Sequence, residues 1–335
     1  MTDIYNATTL TKAIKRIETK NTGLLGLVFK RQAEHLTETI STDIDENLPE
    51  IAPLISDVEE GVVLKDKGFI TKTITPAFIR IKKEINRAKA LTRQVGQPIG
   101  QGKDNTVMLK ARALKQAKES AMLRLKVMAV QALFDGEISY SDNEGRTYNL
   151  DFQRNTELNT TLVGLDAWSN LNVDIAEQLE SWADAIRHAS GSSPNMLILD
   201  SKAWAKLRNN EKIRKDLDLR RGTESKIELA CNTSGNVRYV GSYGSVDIAV
   251  YSEHYTENGV SKPMLAENSA ILLNIEDVVG VRHFGSLMTK KGLVQTDFLA
   301  KELYKEETSK LWAQLESRPV LVPHRINATF AATVV

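Results

Sequence analysis

The feature that most restricts this chain is an uninterrupted helical stretch near its middle. From Thr106 to Phe134 there is no proline or glycine, and Leu114, Ala117, Ala121, Leu125, Met128 and Ala132 recur at steps of three and four. That spacing lays an apolar stripe along one helix face. Asp104 or Asn105 can cap the start, and Gly136 ends it. At about 1.5 Å per residue the helix spans roughly 40 Å, longer than an ordinary domain helix. The glycine-rich stretch from Gly96 to Gly102 just before it reads as a flexible hinge.

The flanks of the helix suggest a chain that does not close on itself. Residues 1–45 read as an arm, with Leu24, Leu25, Leu27, Val28 and Phe29 as a short apolar anchor between polar stretches. So small an apolar segment is expected to dock on something else. Residues 57–76 read as a long β-hairpin: Val62, Val63 and Leu64 lead into Asp66-Lys67-Gly68, and Phe69 to Thr75 return. Its Thr71, Thr73, Thr75 face is polar and its other face thin, so the hairpin is marginal in isolation and is expected to pack on a neighbouring subunit.

After the long helix a second hairpin is predicted around Asp142 to Gly145, with Ile138 and Tyr140 before it and Tyr148, Leu150 and Phe152 after it. From about residue 165 to 310 helices and strands alternate. Asn172 is placed to cap a helix with Ile175, Leu179, Trp182 and Ile186 on one face. Strand Met196 to Leu199 follows, then a helix capped by Asp200 or Ser201, then strands at 237–240, 246–251, 270–273 and 278–283. This predicts an α/β domain with its own core. Residues 319–335 return to a β-branched strand pattern.

Composition narrows function by exclusion. The 335 residues carry 44 Lys plus Arg against 43 Asp plus Glu, a net charge of +1. Tight nucleic-acid binders rely on a basic excess to neutralise phosphates, and this chain has none. The single cysteine, Cys231, allows neither an intrachain disulfide nor a thiolate metal cluster. The first residues contain acids and no apolar run, so no signal peptide is expected there. No apolar run approaches the length of a membrane span. The expectation is a chain made in the cytosol.

The stretches nearest to enzyme motifs fail on their own chemistry. A phosphate loop ending at Gly102-Lys103 needs glycine where Gln97 stands and Ser or Thr where Asp104 stands. Gly241-Ser-Tyr-Gly-Ser245 lacks the Gly-x-Ser-x-Gly order of a nucleophile elbow and reads as a turn. The five histidines, at 35, 188, 254, 283 and 324, show no metal-ligand spacing. No catalytic, cofactor or metal residue is assigned. The densest charge cluster, Lys212 to Gly222, interleaves Asp216 and Asp218 with Arg220 and Arg221. It reads as a solvated helix end or a subunit-contact loop rather than a nucleic-acid patch.

Within residues 217–285 a family pattern stands out. It runs through Asp218-Leu-Arg-Arg-Gly222, Ser225 and Glu228; Tyr239-Val-Gly-Ser-Tyr-Gly244; Ile248-Ala-Val-Tyr-Ser252; Tyr255 with Glu257-Asn-Gly-Val260; Leu265 with Asn268; and Val281-Arg-His-Phe-Gly285. Leu199-Asp200, Lys202-Ala-Trp204, Gly61-Val62, Gly68 and Thr75-Pro76 add to it. This resembles the lambda-like family of tailed-phage major head proteins, over most of the chain from about residue 24. The stretch Arg80 to Lys83 lacks the proline of that family, and the segment after Arg318 departs from it.

The resemblance implies an α+β Hong Kong 97-type capsid fold. Its parts would be an N-terminal arm (1–45), an extended hairpin loop (46–90), a peripheral domain with a long spine helix (91–165), an axial α/β domain (166–312) and a return strand of the peripheral domain (313–335). It implies hexamers and pentamers of this chain in an icosahedral shell around double-stranded DNA. Decoration, scaffold and portal proteins would be partners, with no cofactor and no membrane. The virion is the implied location, with assembly in the host cytoplasm. The inter-subunit contacts are expected at Leu24, Leu27, Phe29, Lys65, Lys67, Phe69, Arg220 and Arg221. Some relatives join a hairpin lysine to a peripheral asparagine, which makes Lys65, Lys67 and Asn327 candidates, whereas lambda-like shells use a decoration protein. An encapsulin-like nanocompartment shell and an α/β enzyme or nucleotide-binding protein are the competing readings.

Overall fold

The computed structural model describes residues 7–16, 23–44, 70–85, 106–141, 147–216, 236–289, 292–305, 307 and 310–335. The long helix runs from Thr106 to Phe134, as its spacing predicts, and buries Leu114, Ala117, Ala121, Leu125, Met128 and Ala132. It packs on a three-stranded antiparallel meander of Ile79–Ile85, Lys310–Ser317 and Leu299–Lys305, with Lys310–Ser317 in the centre. Strand Pro319–Pro323 also lies against it. The alternating exposure of Ile79–Ile85 marks a strand with one face covered by the helix and one left open.

A six-stranded mixed sheet forms the second large element. In spatial order its strands are Asn159–Leu162, Thr329–Val334, Ser269–Leu273, Met196–Leu199, Val246–Tyr251 and Val237–Tyr243. Side chains alternate across a strand, and here the alternation divides the molecule's two apolar clusters. Met196, Ile198, Ala249, Ile271 and Leu273 face the cluster containing the long helix. Leu197, Leu199, Ile248, Val250, Ala270 and Leu272 face a cluster built with helices Ile175–Ser190 and Ser201–Asn209. The α/β region therefore has a core of its own on one side only, and its sheet is the wall shared with the other. On the helix side of that second core, Trp182 stacks on Trp168 at 6.1 Å and on Phe330 at 5.0 Å.

Several expectations need correction. The first is the coreless arm. Helix Ala7–Arg16 lies on strand Leu299–Lys305 and buries Ile14, whose carbonyl accepts from buried Lys118 Nζ at 3.1 Å. Strand Arg31–Glu34 adds in parallel to Gly280–Phe284, which pairs on its other side with Pro319–Pro323. Between them, Leu24, Leu25, Leu27 and Phe29 are essentially without exposure inside the chain's own core. The sequence pattern of an apolar anchor was sound, but the surface it seeks lies in the same chain. Gly23 makes the approach possible: at φ +69 a β-carbon there would stand 2.6 Å from Tyr251 Oη.

The segment 313–335 is also not one return strand. Lys310–Ser317 and Pro319–Pro323 stay with the long helix, whereas Thr329–Val334 enters the six-stranded sheet between Ser269–Leu273 and Asn159–Leu162. The cap of helix Ile175–Ser190 is Asp174, whose carboxylate accepts from Glu177 N, rather than Asn172. The predicted cap by Asp200 of the next helix is present, accepting from Lys202 N at 3.0 Å.

Candidate assembly surfaces

Strand Ile70–Ile74, expected to pair with 62–64, is held among the described residues by Ile40–Ile44, antiparallel, with Ile44 opposite Ile70. This two-stranded base delivers the ends of segment 45–69 side by side. Ile40 and Ile74 are buried at its root, and Lys72 Nζ donates to the Asp151 carbonyl at 2.7 Å, tying the base to the second hairpin. Lys65, Lys67 and Phe69 lie in that segment, outside the described residues, as do Arg220, Arg221, Cys231 and the Gly96–Gly102 hinge. Leu24, Leu27 and Phe29 are described and fully buried, so their side chains are not open to a neighbouring subunit.

Next to the base lies a groove of about 370 Å³, half open to solvent, whose apolar lining includes Ile74, Pro76, Met128, Ile138, Tyr148 and Leu150. One wall is the predicted second hairpin, Glu137–Ser141 paired with Thr147–Asp151, in which Tyr140 and Tyr148 stack at 5.0 Å. Arg154 fixes this wall to the long helix by donating to the carbonyls of Leu133 (2.9 Å) and Phe134 (2.6 Å). Helix ends leave such carbonyls without internal partners. Burial pushes the Arg154 guanidinium down to about 10, opposed by the charge of Asp135, and burial pushes the Asp135 carboxyl up. Arg154 was missed from sequence, where an arginine twenty residues past a helix end carries no local capping pattern.

The long helix is also joined electrostatically to the hairpin His254–Glu257/Val260–Pro263 and the residue before it. Lys126 Nζ meets Glu253 Oε1 at 2.5 Å, Arg124 meets Glu257 at 3.1 Å, and Lys262 completes the set at 2.9 Å from Glu257. Burial works against the Glu253 charge, but hydrogen bonds from Asn236, Lys126 and Tyr251 hold its carboxyl below the ordinary range. Hydrogen bonds from Lys262 and Arg124 do the same for Glu257.

A third surface lies at the edge of the six-stranded sheet. Val163, Leu165 and Leu171 are 67, 83 and 68% exposed, yet their loop is rigidly pinned. Asn170 Nδ2 donates to the Leu165 carbonyl, Gln178 Nε2 to the Asp166 carbonyl, and the buried Trp168 indole to Gln178 Oε1, each at 2.9 Å. A preorganised apolar loop loses little conformational freedom on docking. Sequence alone does not single these three out, because Ala167, Trp168 and Val173 in the same loop are apolar as well but buried.

No group of three His, Cys, Asp or Glu side chains among the described residues could hold a metal ion, and no described helix is long and apolar enough to cross a membrane. Asn327, a cross-linking candidate, uses its carboxamide oxygen to accept from Asn155 N at 2.9 Å.

The family described as phage major capsid protein E matches residues 6–334. The chain is similar to the major capsid protein of Escherichia phage lambda, at 30% identity over 78% of each chain. It is also similar to that of Escherichia phage N15, at 28% identity over 79% of this chain and 78% of the other. A crystal structure of a prophage capsid protein from E. coli CFT073 superposes with a TM-score of 0.78, at 22% identity, covering 98% of this chain and 99% of that one. The α+β fold is thus the Hong Kong 97-type fold of phage capsids. With nearly its whole length matched, the chain belongs to the phage major capsid protein E family.

Proposed function

We propose that this capsid protein acts without catalysis, by self-assembly into the pentamers and hexamers of an icosahedral head that encloses a double-stranded DNA genome. The observation that carries this reading is the paired base Ile40–Ile44/Ile70–Ile74, whose strand ends flank segment 45–69 and which lies next to a groove with an apolar lining. In this reading segment 45–69 is the part that reaches a neighbouring copy. Within it, Lys65, Lys67 and Phe69 are the contact residues, joined by Arg220 and Arg221 in the charged segment and by the pinned loop carrying Val163, Leu165 and Leu171. Each contact is modest, and closed symmetry multiplies them.

The near-neutral charge fits weak, non-specific contact with packaged DNA rather than tight binding. The partners of this reading are a scaffold protein during assembly in the host cytoplasm, a portal at one vertex, and a decoration protein on the finished virion. The encapsulin-like alternative predicts shells filled with enzyme cargo in place of DNA. The α/β-enzyme alternative predicts a small oligomer stabilised by a nucleotide. Electron microscopy of the purified chain separates these: uniform closed shells are expected. Their absence at high concentration, with scaffold supplied, would overturn the proposal.

A further inference from the structure

Three of the five histidines, scattered across the sequence at positions 35, 283 and 324, meet in the fold. His283 lies on the central strand of the sheet formed by Arg31–Glu34, Gly280–Phe284 and Pro319–Pro323. His35 follows the first of these strands and His324 follows the third. His35 Nε2 and His283 Nδ1 share one hydrogen bond of 2.9 Å, and the His283 and His324 rings stand 5.8 Å apart, edge to face. His283 is only 7% exposed, and its Nε2 has no hydrogen-bond partner among the described residues.

A shared hydrogen bond between two imidazoles requires at least one ring nitrogen to lack its proton. A charge on His283 therefore requires His35 to stay neutral to keep the shared bond, and it puts a proton on both nitrogens of a ring that is 7% exposed and whose Nε2 finds no acceptor among the described residues. We propose that the His35–His283–His324 cluster is a proton-operated clasp, which holds the N-terminal strand Arg31–Glu34 and the turn after it to the fold at neutral pH and releases them on acidification.

Among the described residues no acid acts on His283 to offset a charge there. The other ionic groups on these strands are engaged elsewhere: Glu34 with Lys15, Arg318 with Glu38, Arg325 with Asp277 and the Ser190 carbonyl. Arg282 reaches toward the Lys30 carbonyl and feels Asp297, and Arg31 is exposed. The charges that do act on His283 are those of His35 and His324, and both oppose protonation. Burial first, then these two neighbours, push His283 down to about 4.

The sign follows from linkage. With the clasp open His283 takes up a proton at the ordinary histidine value, and with the clasp closed it resists one. Docking is therefore unaffected above about pH 6.5 and weakens as pH falls from there toward 4. What would be freed is the attachment made by His35 N to the Phe284 carbonyl (2.8 Å), Ser286 N to the Thr37 carbonyl (3.1 Å) and Gln295 Nε2 to the Glu34 carbonyl (2.9 Å). This inference does not depend on the proposed shell function.

Amide hydrogen exchange on the purified full chain tests it, read as protection corrected for the intrinsic pH dependence of exchange. Between pH 7.5 and 5.0, protection at 31–39 and 281–286 is expected to fall about thirtyfold, the factor for one imidazole moving from 6.5 to about 4. The strand pair Ile40–Ile44/Ile70–Ile74, which contains no histidine, should hold its protection. In His283→Gln the dependence should flatten. Unchanged protection in the native chain, an equal loss across all strands, or a Gln variant that responds like the native chain would each overturn the clasp. Should the variant not fold, the contrast between the two strand pairs in the native chain still decides.

Discussion

The long helix has two attachments of opposite chemistry. One is the segment Gly23–Phe29, whose helix Leu24–Leu27 meets it and whose Leu24, Leu25, Leu27 and Phe29, all essentially without exposure, belong to the same apolar cluster. The other is the region of Glu253 and the hairpin after it, which meets it through Lys126–Glu253, Arg124–Glu257 and the companion Lys262. Apolar burial is non-directional and loses value only when water enters. Exposed ion pairs are worth little, depend on salt and tolerate rearrangement. The contrast separates a permanent joint from an adjustable one on the same rod, a useful pairing in a protein whose neighbours must be accommodated as a shell closes.

The permanent joint should show the largest effect when broken. Phe29 is completely buried, and a β-carbon on Gly280 would stand 2.8 Å from its ring. Phe29→Ala is therefore expected to cost about 3–5 kcal/mol of unfolding free energy in urea; a loss under about 1 kcal/mol would show the segment to be an accessory. Lys126→Met tests the better-buried part of the ionic joint, with an expected cost of about 2 kcal/mol at pH 7. Glu253 is held below its ordinary value of 4.5, so its contribution is complete above that pH and declines as pH falls through the folded value. Urea midpoints for native chain and variant should therefore converge in acid, and a constant gap would locate the effect in packing instead. Smallest is Arg124→Gln, about 0.5 kcal/mol at low salt. In about 1 M salt, where the screening length is about 3 Å, the difference should vanish.

Local structure was legible in the sequence, and long-range pairing was not. The helix Thr106–Phe134 and the second hairpin follow from spacing that each segment carries within itself. The partners of Arg31–Glu34 and Ile79–Ile85 lie more than two hundred residues away, at Gly280–Phe284 and Lys310–Ser317. Alternating burial tells which face of a strand is covered but not by what. For the same reason the anchor around Leu24 was recognised as apolar yet assigned to another subunit. The histidine trio was invisible because its members share no local spacing. Of the contact residues inferred from sequence, Leu24, Leu27 and Phe29 are core. The surface positions Leu165 and Leu171 stand out only once the loop around them is seen to be pinned.

Thr329–Val334 lies inside the six-stranded sheet, between Ser269–Leu273 and Asn159–Leu162. Its parallel neighbour leaves the ribosome some 170 residues earlier (159–162 against 331–334 in register). Until the later strand arrives, both neighbours present bare edges, the kind of surface that recruits foreign strands. Pairings so distant in sequence also form slowly. A subunit is thus incomplete, and open to wrong partners, until Thr329–Val334 has been made. The speed at which one late strand inserts sets how long a newly made chain must be shielded before it can safely join a shell.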